Sequence, residues 1–174
     1  GEDGGGTSGS ELKYELTGQV KTVAQADTPV GKHGALNLAQ VDGYSAPIIV
    51  DQNGQPFQLR GASTHGMHWN EMHPYVNKGS FQSLRDEWGV NMVRLVSYVT
   101  QSGYIQGSQS LLDSKIQAGV QAAKDLGMYA IVDWHIHAED PNTTKSNAKE
   151  FFKKYATLYK DYDNVIFEIC NEPT

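Results

Sequence analysis

A carboxylate with a carboxamide neighbour, Asn171-Glu172, follows directly on the apolar run at residues 165–169. That run is rich in β-branched residues and reads as a short buried strand. Pro173 has no N–H to give to a ladder, so the strand must stop there. The acid is thus presented at the carboxyl end of a buried strand, the edge where α/β proteins bind ligands and do chemistry. Three earlier segments end the same way. The first brings His65, with Trp69 in its loop. The second brings Arg94, with Tyr98 beyond it. The third brings Trp134 and His135. Each is weak alone: a strand-end His is commonly structural, and an exposed Arg ion pair is worth under about 1 kcal/mol. Four consecutive strands placing such groups on one edge are hard to reach by chance.

The elements between these residues keep a regular rhythm. Short strands are expected at 34–38 and 47–50, followed by the hairpin signal Asn53-Gly54. From residue 57 onward strand, loop and amphipathic helix alternate. Ser80 reads as an N-cap, with Phe81, Leu84 and Trp88 on one helical face and Gly89 as the stop. A strand at 91–96 and a loop at 97–110 precede a helix near 112–126, with Leu112, Ile116, Gly119, Val120 and Ala123 inward. A strand at 129–135 leads through a polar loop to a helix near 146–159, with Ala148, Phe151, Phe152, Tyr155 and Leu158 inward. Such alternation predicts right-handed parallel crossovers, in either an open doubly wound sheet or a closed barrel.

Asp133 and Glu168 fall in mid-strand, where a charge is costly unless paired. Glu168 shares strand parity with Glu172, and both mid-strand acids are expected to make structural hydrogen bonds. Other chemistries lack their patterns. No glycine-rich phosphate loop follows the first strand of the alternating units, and no nucleophile-elbow motif occurs. His65, His68, His73, His135 and His137 could offer imidazoles to a metal, but no H-E-x-x-H or cysteine cluster accompanies them.

Composition narrows the partners. The 174 residues carry a net charge of −6, which argues against nucleic acid. No apolar run nears the roughly 20 residues needed to span a membrane, and no signal-peptide pattern opens the chain. The single cysteine, Cys170, reads as a small buried apolar residue. Residues 1–10 are half glycine and read as linker, and residues 12–20 have weak strand character. The expected organisation is a linker or extension over 1–30 and a folded unit over 31–174.

Gln58-Leu-Arg-Gly-Ala-Ser-Thr-His65-Gly66, Val93-Arg94-Leu95, Asp133-Trp-His135 and Ile169-Cys-Asn-Glu-Pro173 stand in order along the chain. Together they resemble glycoside hydrolase family 5, and within it the bacterial endo-β-1,4-glucanases, over about residues 33–174. The resemblance implies an α/β fold: the first four strands and three helices of a (β/α)8 barrel, preceded by a β-hairpin. It implies a secreted, cofactor-free, retaining enzyme acting on β-1,4-glucan, with mannan, lichenan or xyloglucan as alternative substrates. Glu172 would be the acid/base and Asn171 would bond the sugar 2-hydroxyl. Arg94 would keep the nucleophile charged. His135, His65 and Tyr98 would line the subsite, with Trp69, and Trp134 beside His135, as further substrate contacts. The nucleophilic Glu belongs to a later strand of the family barrel, so a carboxyl-terminal half or second chain is the expected partner. The alternative is a half-barrel that binds or assembles on carbohydrate without catalysis.

Overall fold

The computed structural model describes residues 24–173. The weak strand character at 12–20 and the glycine-rich stretch at 1–10 lie outside the described residues. Residues 24–30, expected to belong to the extension, are folded. A 3-10 turn at Gln25–Asp27 leads to helix α1 (Pro29–His33). Thr28 caps α1 by accepting from the Gly31 N–H at 3.0 Å.

This segment is latched to the rest by a close approach. The Val30 N–H donates to Gly127 O at 2.8 Å, and Gln25 Nε2 to Asp125 O at 3.0 Å. Gly127 has φ 65°, and a Cβ there would lie 2.0 Å from Thr28 Oγ1, so only glycine meets both demands. Beside the latch, the Tyr129 hydroxyl donates to Gly34 O at 2.6 Å. Its burial pushes the phenol up to about 12.

Strands β1 (Asn37–Ala39) and β2 (Ile48–Val50) form the expected antiparallel hairpin. The Asn53-Gly54 turn follows β2, and Val50 pairs back with Pro56. Four parallel strands come next, in the order β3 (Gly61–Ser63), β4 (Met92–Tyr98), β5 (Tyr129–His135) and β6 (Val165–Glu168). They are joined by helices α2 (Lys78–Trp88), α3 (Gln109–Leu126) and α4 (Lys145–Leu158). Spatial order equals chain order, as successive βα units of a barrel wall require.

The layer between sheet and helices is the core. Val93, Leu95, Val132 and Trp134 point into it from the strands, and Leu112, Ile116, Val120 and Phe151 from the helices. The inward face expected for α3 is buried throughout. Gly89 and Gly127 end α2 and α3 in left-handed C-caps.

Several local expectations are corrected. Asn77, not Ser80, caps α2: its Oδ1 accepts from the Ser80 N–H at 2.9 Å. Both residues are good caps, and the helix simply starts a turn earlier. Trp88 was expected inward but is 76% exposed. As the last residue of α2 it lines an apolar groove against β3, with Met72, Tyr75, Phe81 and Leu84. Leu158, last in α4, is likewise 50% exposed. In both cases helical spacing continued to the terminus while the packed layer did not. Cys170, read as buried, is only partly so, although it packs against the core. Among the described residues no helix is long and apolar enough to cross a membrane.

Candidate active site

Register brings the polar side chains together. Ser63 pairs with Arg94, Val96 with Asp133, Tyr98 with His135, and Asp133 with Glu168. Alternation then sets Arg94, Asp133, His135 and Glu168 on the sheet face opposite the core. Trp134 falls between two of them and points the other way. It is 1% exposed and packs against Tyr104 and Phe151 at centroid distances of 5.6 and 4.9 Å. The expected contact between Trp134 and substrate is therefore corrected: parity sends this indole into the core.

Arg94 is the centre of the cluster. Its Nε and Nη2 donate to the two oxygens of Glu168 at 2.7 and 2.5 Å, a bidentate pair. Nη2 also donates to Asn171 Oδ1 at 2.8 Å and lies 3.2 Å from Asp133 Oδ2. The Glu168 hydrogen bond first, then the charges of Asp133 and Glu168, push the guanidinium pKa further up, against the opposing effect of partial burial. Asp133 and Glu168 thus make the structural bonds expected of mid-strand acids. Arg94 also sets Asn171, whose Nδ2 donates to Ile136 O at 3.0 Å. With both ends of its amide held, Asn171 has one orientation.

Asp133 is fully buried and bonds His135 Nδ1 at 2.6 Å. Burial raises its pKa, against the pull of His135 and Arg94. Beside a carboxylate, Nδ1 carries the ring proton, which leaves Nε2 as an acceptor on the neutral ring. The orientation of His135 is therefore fixed from below.

An aromatic floor continues from His135. Tyr98 lies 4.4 Å from it, Trp69 4.9 Å from Tyr98, and His65 4.3 Å from Trp69, all between ring centroids. Tyr98 ends β4 itself, so that strand runs two residues further than its apolar pattern suggested. Its hydroxyl is pushed up by burial first and then by the Glu172 and Asp133 charges. At the turn after His65, a Cβ on Gly66 would lie 2.9 Å from the Trp69 ring, so a glycine lets the indole fold over the backbone.

Glu172 stands at the rim, with its side chain 65% exposed. His137 faces it and was considered before only as a metal ligand. Gln101 and Glu139, which hold His137, went unnoticed. Only the side-by-side ends of β5 and β6 reveal these residues, since no local pattern joins 101, 139 and 172. Three of the imidazoles that could serve a metal have other partners: His135 bonds Asp133, His137 bonds Gln101 Nε2, and His68 Nε2 bonds Gln101 O at 3.1 Å. Among the described residues no group of three or more His, Cys, Asp or Glu is placed to hold a metal ion.

The arrangement is thus an exposed carboxyl beside an immobilised amide, over an aromatic floor. Comparison with known proteins places the chain among its relatives. A family profile described as cellulase (glycosyl hydrolase family 5) matches residues 50–174. Endoglucanase N of Pectobacterium atrosepticum is 44% identical over 151 residues, which is 86% of this chain and 32% of that protein. An endoglucanase of Clostridium saccharobutylicum is 48% identical over 126 residues, covering 72% of this chain and 28% of that one. Among solved structures, the alkaline cellulase K catalytic domain superposes with a TM-score of 0.75 at 37% identity, over 83% of this chain and 40% of that one. The catalytic domain of Thermobifida fusca endoglucanase Cel5A gives 0.71 at 35% identity, over 84% and 45%. The chain spans about a third or less of the length of these curated relatives.

Proposed function

The chain belongs to glycoside hydrolase family 5, and on that premise we propose that it carries the acid/base half of a retaining endo-β-1,4-glucanase site. The observation that carries this reading is Glu172 at the rim of β6, beside an Asn171 amide held by Arg94 and Ile136 O. A glycosidic oxygen leaves poorly unless it is protonated as the bond breaks. Glu172, in its acid form, gives its proton to that oxygen while a second carboxylate forms a bond to the anomeric carbon. In the second step the Glu172 carboxylate takes a proton from water, whose oxygen replaces the enzyme carboxylate on the sugar.

A retaining pair stands roughly 5–5.5 Å apart. Glu168 and Asp133 are committed to Arg94 and His135, so neither is free to act. Membership of family 5 implies that the nucleophilic Glu belongs to a later strand of the barrel, so we assign it to a carboxylate outside these 174 residues, on the remaining wall. That wall would also cover the apolar groove of Trp88 and would be the partner of this chain. The amino-terminal half of the catalytic domain then includes residues 24–30 as well as 31–174, since that segment is latched onto it.

Asn171 is aimed to bond the sugar 2-hydroxyl, and the bare Nε2 of His135 to accept from a hydroxyl. Arg94 would extend its charge to the nucleophile. Trp69, Tyr98 and His65 offer sugar-stacking faces, which suits a neutral polymer. Cellulose-type β-glucan is the proposed substrate, ahead of mannan, lichenan or xyloglucan, since the solved relatives include cellulases. A polymer of that size is met outside the cell, so we place the enzyme there.

The test is reducing-sugar release from soluble β-1,4-glucan by the complete catalytic domain and its Glu172→Gln variant. The variant is expected to lose activity by at least about a hundredfold while still binding cello-oligosaccharide. Undiminished release would overturn the assignment. The 174-residue chain alone is expected to release nothing until the other half is added.

A further inference from the structure

His137 is a second imidazole at the site, and the proposed chemistry does not use it. Its Nε2 lies 3.8 Å from Glu172 Oε2. The two residues also pair through their backbones as an isolated parallel bridge, beyond the last regular β5–β6 pair, Asp133 with Glu168. They are cross-strand neighbours at the rim, and such pairs interact.

His137 is held from two loops. Its backbone N–H donates to Glu139 Oε2 at 2.6 Å, while Glu139 Oε1 accepts from the Thr100 hydroxyl. Its ring Nδ1 bonds Gln101 Nε2 at 3.1 Å. Gln101 and Ser102 have φ of 54° and 60°, and Ala138, next to His137, has 70°. Such left-handed backbone at non-glycine residues persists where the surroundings fix it. Here the surroundings include buried His68, whose Nε2 bonds Gln101 O at 3.1 Å. A chain of contacts therefore runs from buried His68, through Gln101, to the exposed ring of His137.

The chemistry follows from the amide. With Gln101 donating to Nδ1, the proton of the neutral ring resides on Nε2, the atom that faces Glu172. A donor there, once the 3.8 Å separation closes, would engage Oε2 as an acceptor and leave Oε1 to carry the acidic proton. Catalytic hydrogen bonds are often long in the free enzyme and tighten around substrate. We infer that His137 is a positioning residue for Glu172: its Nε2–H, set by Gln101, turns the carboxyl so that its proton meets the leaving oxygen. This rests on the reading of Glu172 as the acid/base.

The test uses the leaving group. A sugar alkoxide needs the proton, whereas a dinitrophenolate leaves with little help. We would measure kcat/KM, which reports bond cleavage to form the glycosyl-enzyme, on a cello-oligosaccharide and on dinitrophenyl β-cellobioside in the complete enzyme. His137→Ala is expected to lose about tenfold on the oligosaccharide and less than about twofold on the aryl substrate. His137→Gln, which returns an amide N–H near the Nε2 position, is expected to recover at least about half of the loss. Gln101→Asn tolerates the left-handed backbone but is too short to reach His137; it should show the same selectivity at about threefold.

Equal losses on both substrates, or none, would overturn the inference. Glu172→Gln is run in parallel to separate the two claims. If it is selective and His137→Ala is not, only the His137 inference falls. If Glu172→Gln is itself unselective, the acid/base reading fails and this inference with it.

Discussion

Two carboxylate clusters sit on opposite faces of the same sheet, and they are built differently. On the outer side, Asp113 of α3 accepts at Oδ1 from the Tyr104 hydroxyl at 2.8 Å and from the Tyr155 hydroxyl, and at Oδ2 from Lys154 at 2.6 Å. Burial would raise this carboxyl, but the bonds from Lys154 and the two tyrosines hold it below its ordinary value. Burial and the same carboxylate push both phenols well up. One acid is matched by one cation there, and both of its oxygens are used. On the inner side, Asp133 and Glu168 share Arg94. Asp133 keeps one buried oxygen without a partner and has its pKa raised by burial. A closed network clamps α3 to α4, while the open one fixes Arg94, His135 and Asn171 on the inner face, where the proposed chemistry needs them.

Substitutions should separate the two clusters. Arg94→Ala leaves two facing carboxylates without their cation and should cost about 3 kcal/mol of stability. It should also lower turnover with little loss of sugar binding. A denaturation midpoint equal to the parent's would mean that Glu168 and Asp133 relax freely.

Asp133→Asn should lower rate while favouring the fold as pH rises. An amide N–H facing His135 Nδ1 would move the ring proton to Nε2, the wrong tautomer for accepting a hydroxyl, and about a tenfold or greater fall in kcat is expected. The raised pKa of Asp133 fixes the sign of its pH dependence. Its charge weighs on stability increasingly as pH climbs from about 4 through the folded value. The Asn variant should therefore gain on the parent as pH rises, and melting temperatures at pH 4 and pH 7 would measure this.

The outer cluster has the opposite sign. Asp113→Asn should cost about 1 kcal/mol at neutral pH, through the lost charge on its bond to Lys154. Because Asp113 is lowered in the fold, its contribution is present above about pH 4 and is lost as pH falls through the folded value. The parent should thus converge on the variant in acid, with activity unaffected at pH 7. A persistent gap at pH 3 would assign the cost to packing. Lys154→Met is the smallest change, under about 1 kcal/mol, since Lys154 is partly solvated.

Strand positions were legible at 91–96 and 129–135 because short apolar runs stand there between helix stops and loops, although β4 extends through Ser97 and Tyr98, where the pattern predicts loop. Helix faces were legible in the middle of α3, where Ile116, Val120 and Ala123 recur at helical spacing. They failed at the ends, at Trp88 and Leu158, because periodicity carries no record of where a neighbouring layer stops. Trp134 misled because adjacency to His135 along a strand means opposite faces, not shared ones. Arg94, Asn171 and Glu172 could be read from a family motif. Their mutual bonds could not, because these depend on register between β4, β5 and β6. His137 had no pattern at all: its partners lie 36 residues before it and at the end of another strand.

The latch of Thr28 and Val30 on Gly127 lies at the amino-terminal ends of the strands, whereas Glu172 and its neighbours stand at their carboxyl ends. The chain therefore enters this fold from underneath. A cargo fused ahead of residue 24, whether a fluorescent reporter or a surface anchor, would be tethered at the pole opposite the cleft. The polysaccharide proposed as substrate would then reach the site without colliding with what the protein is tied to.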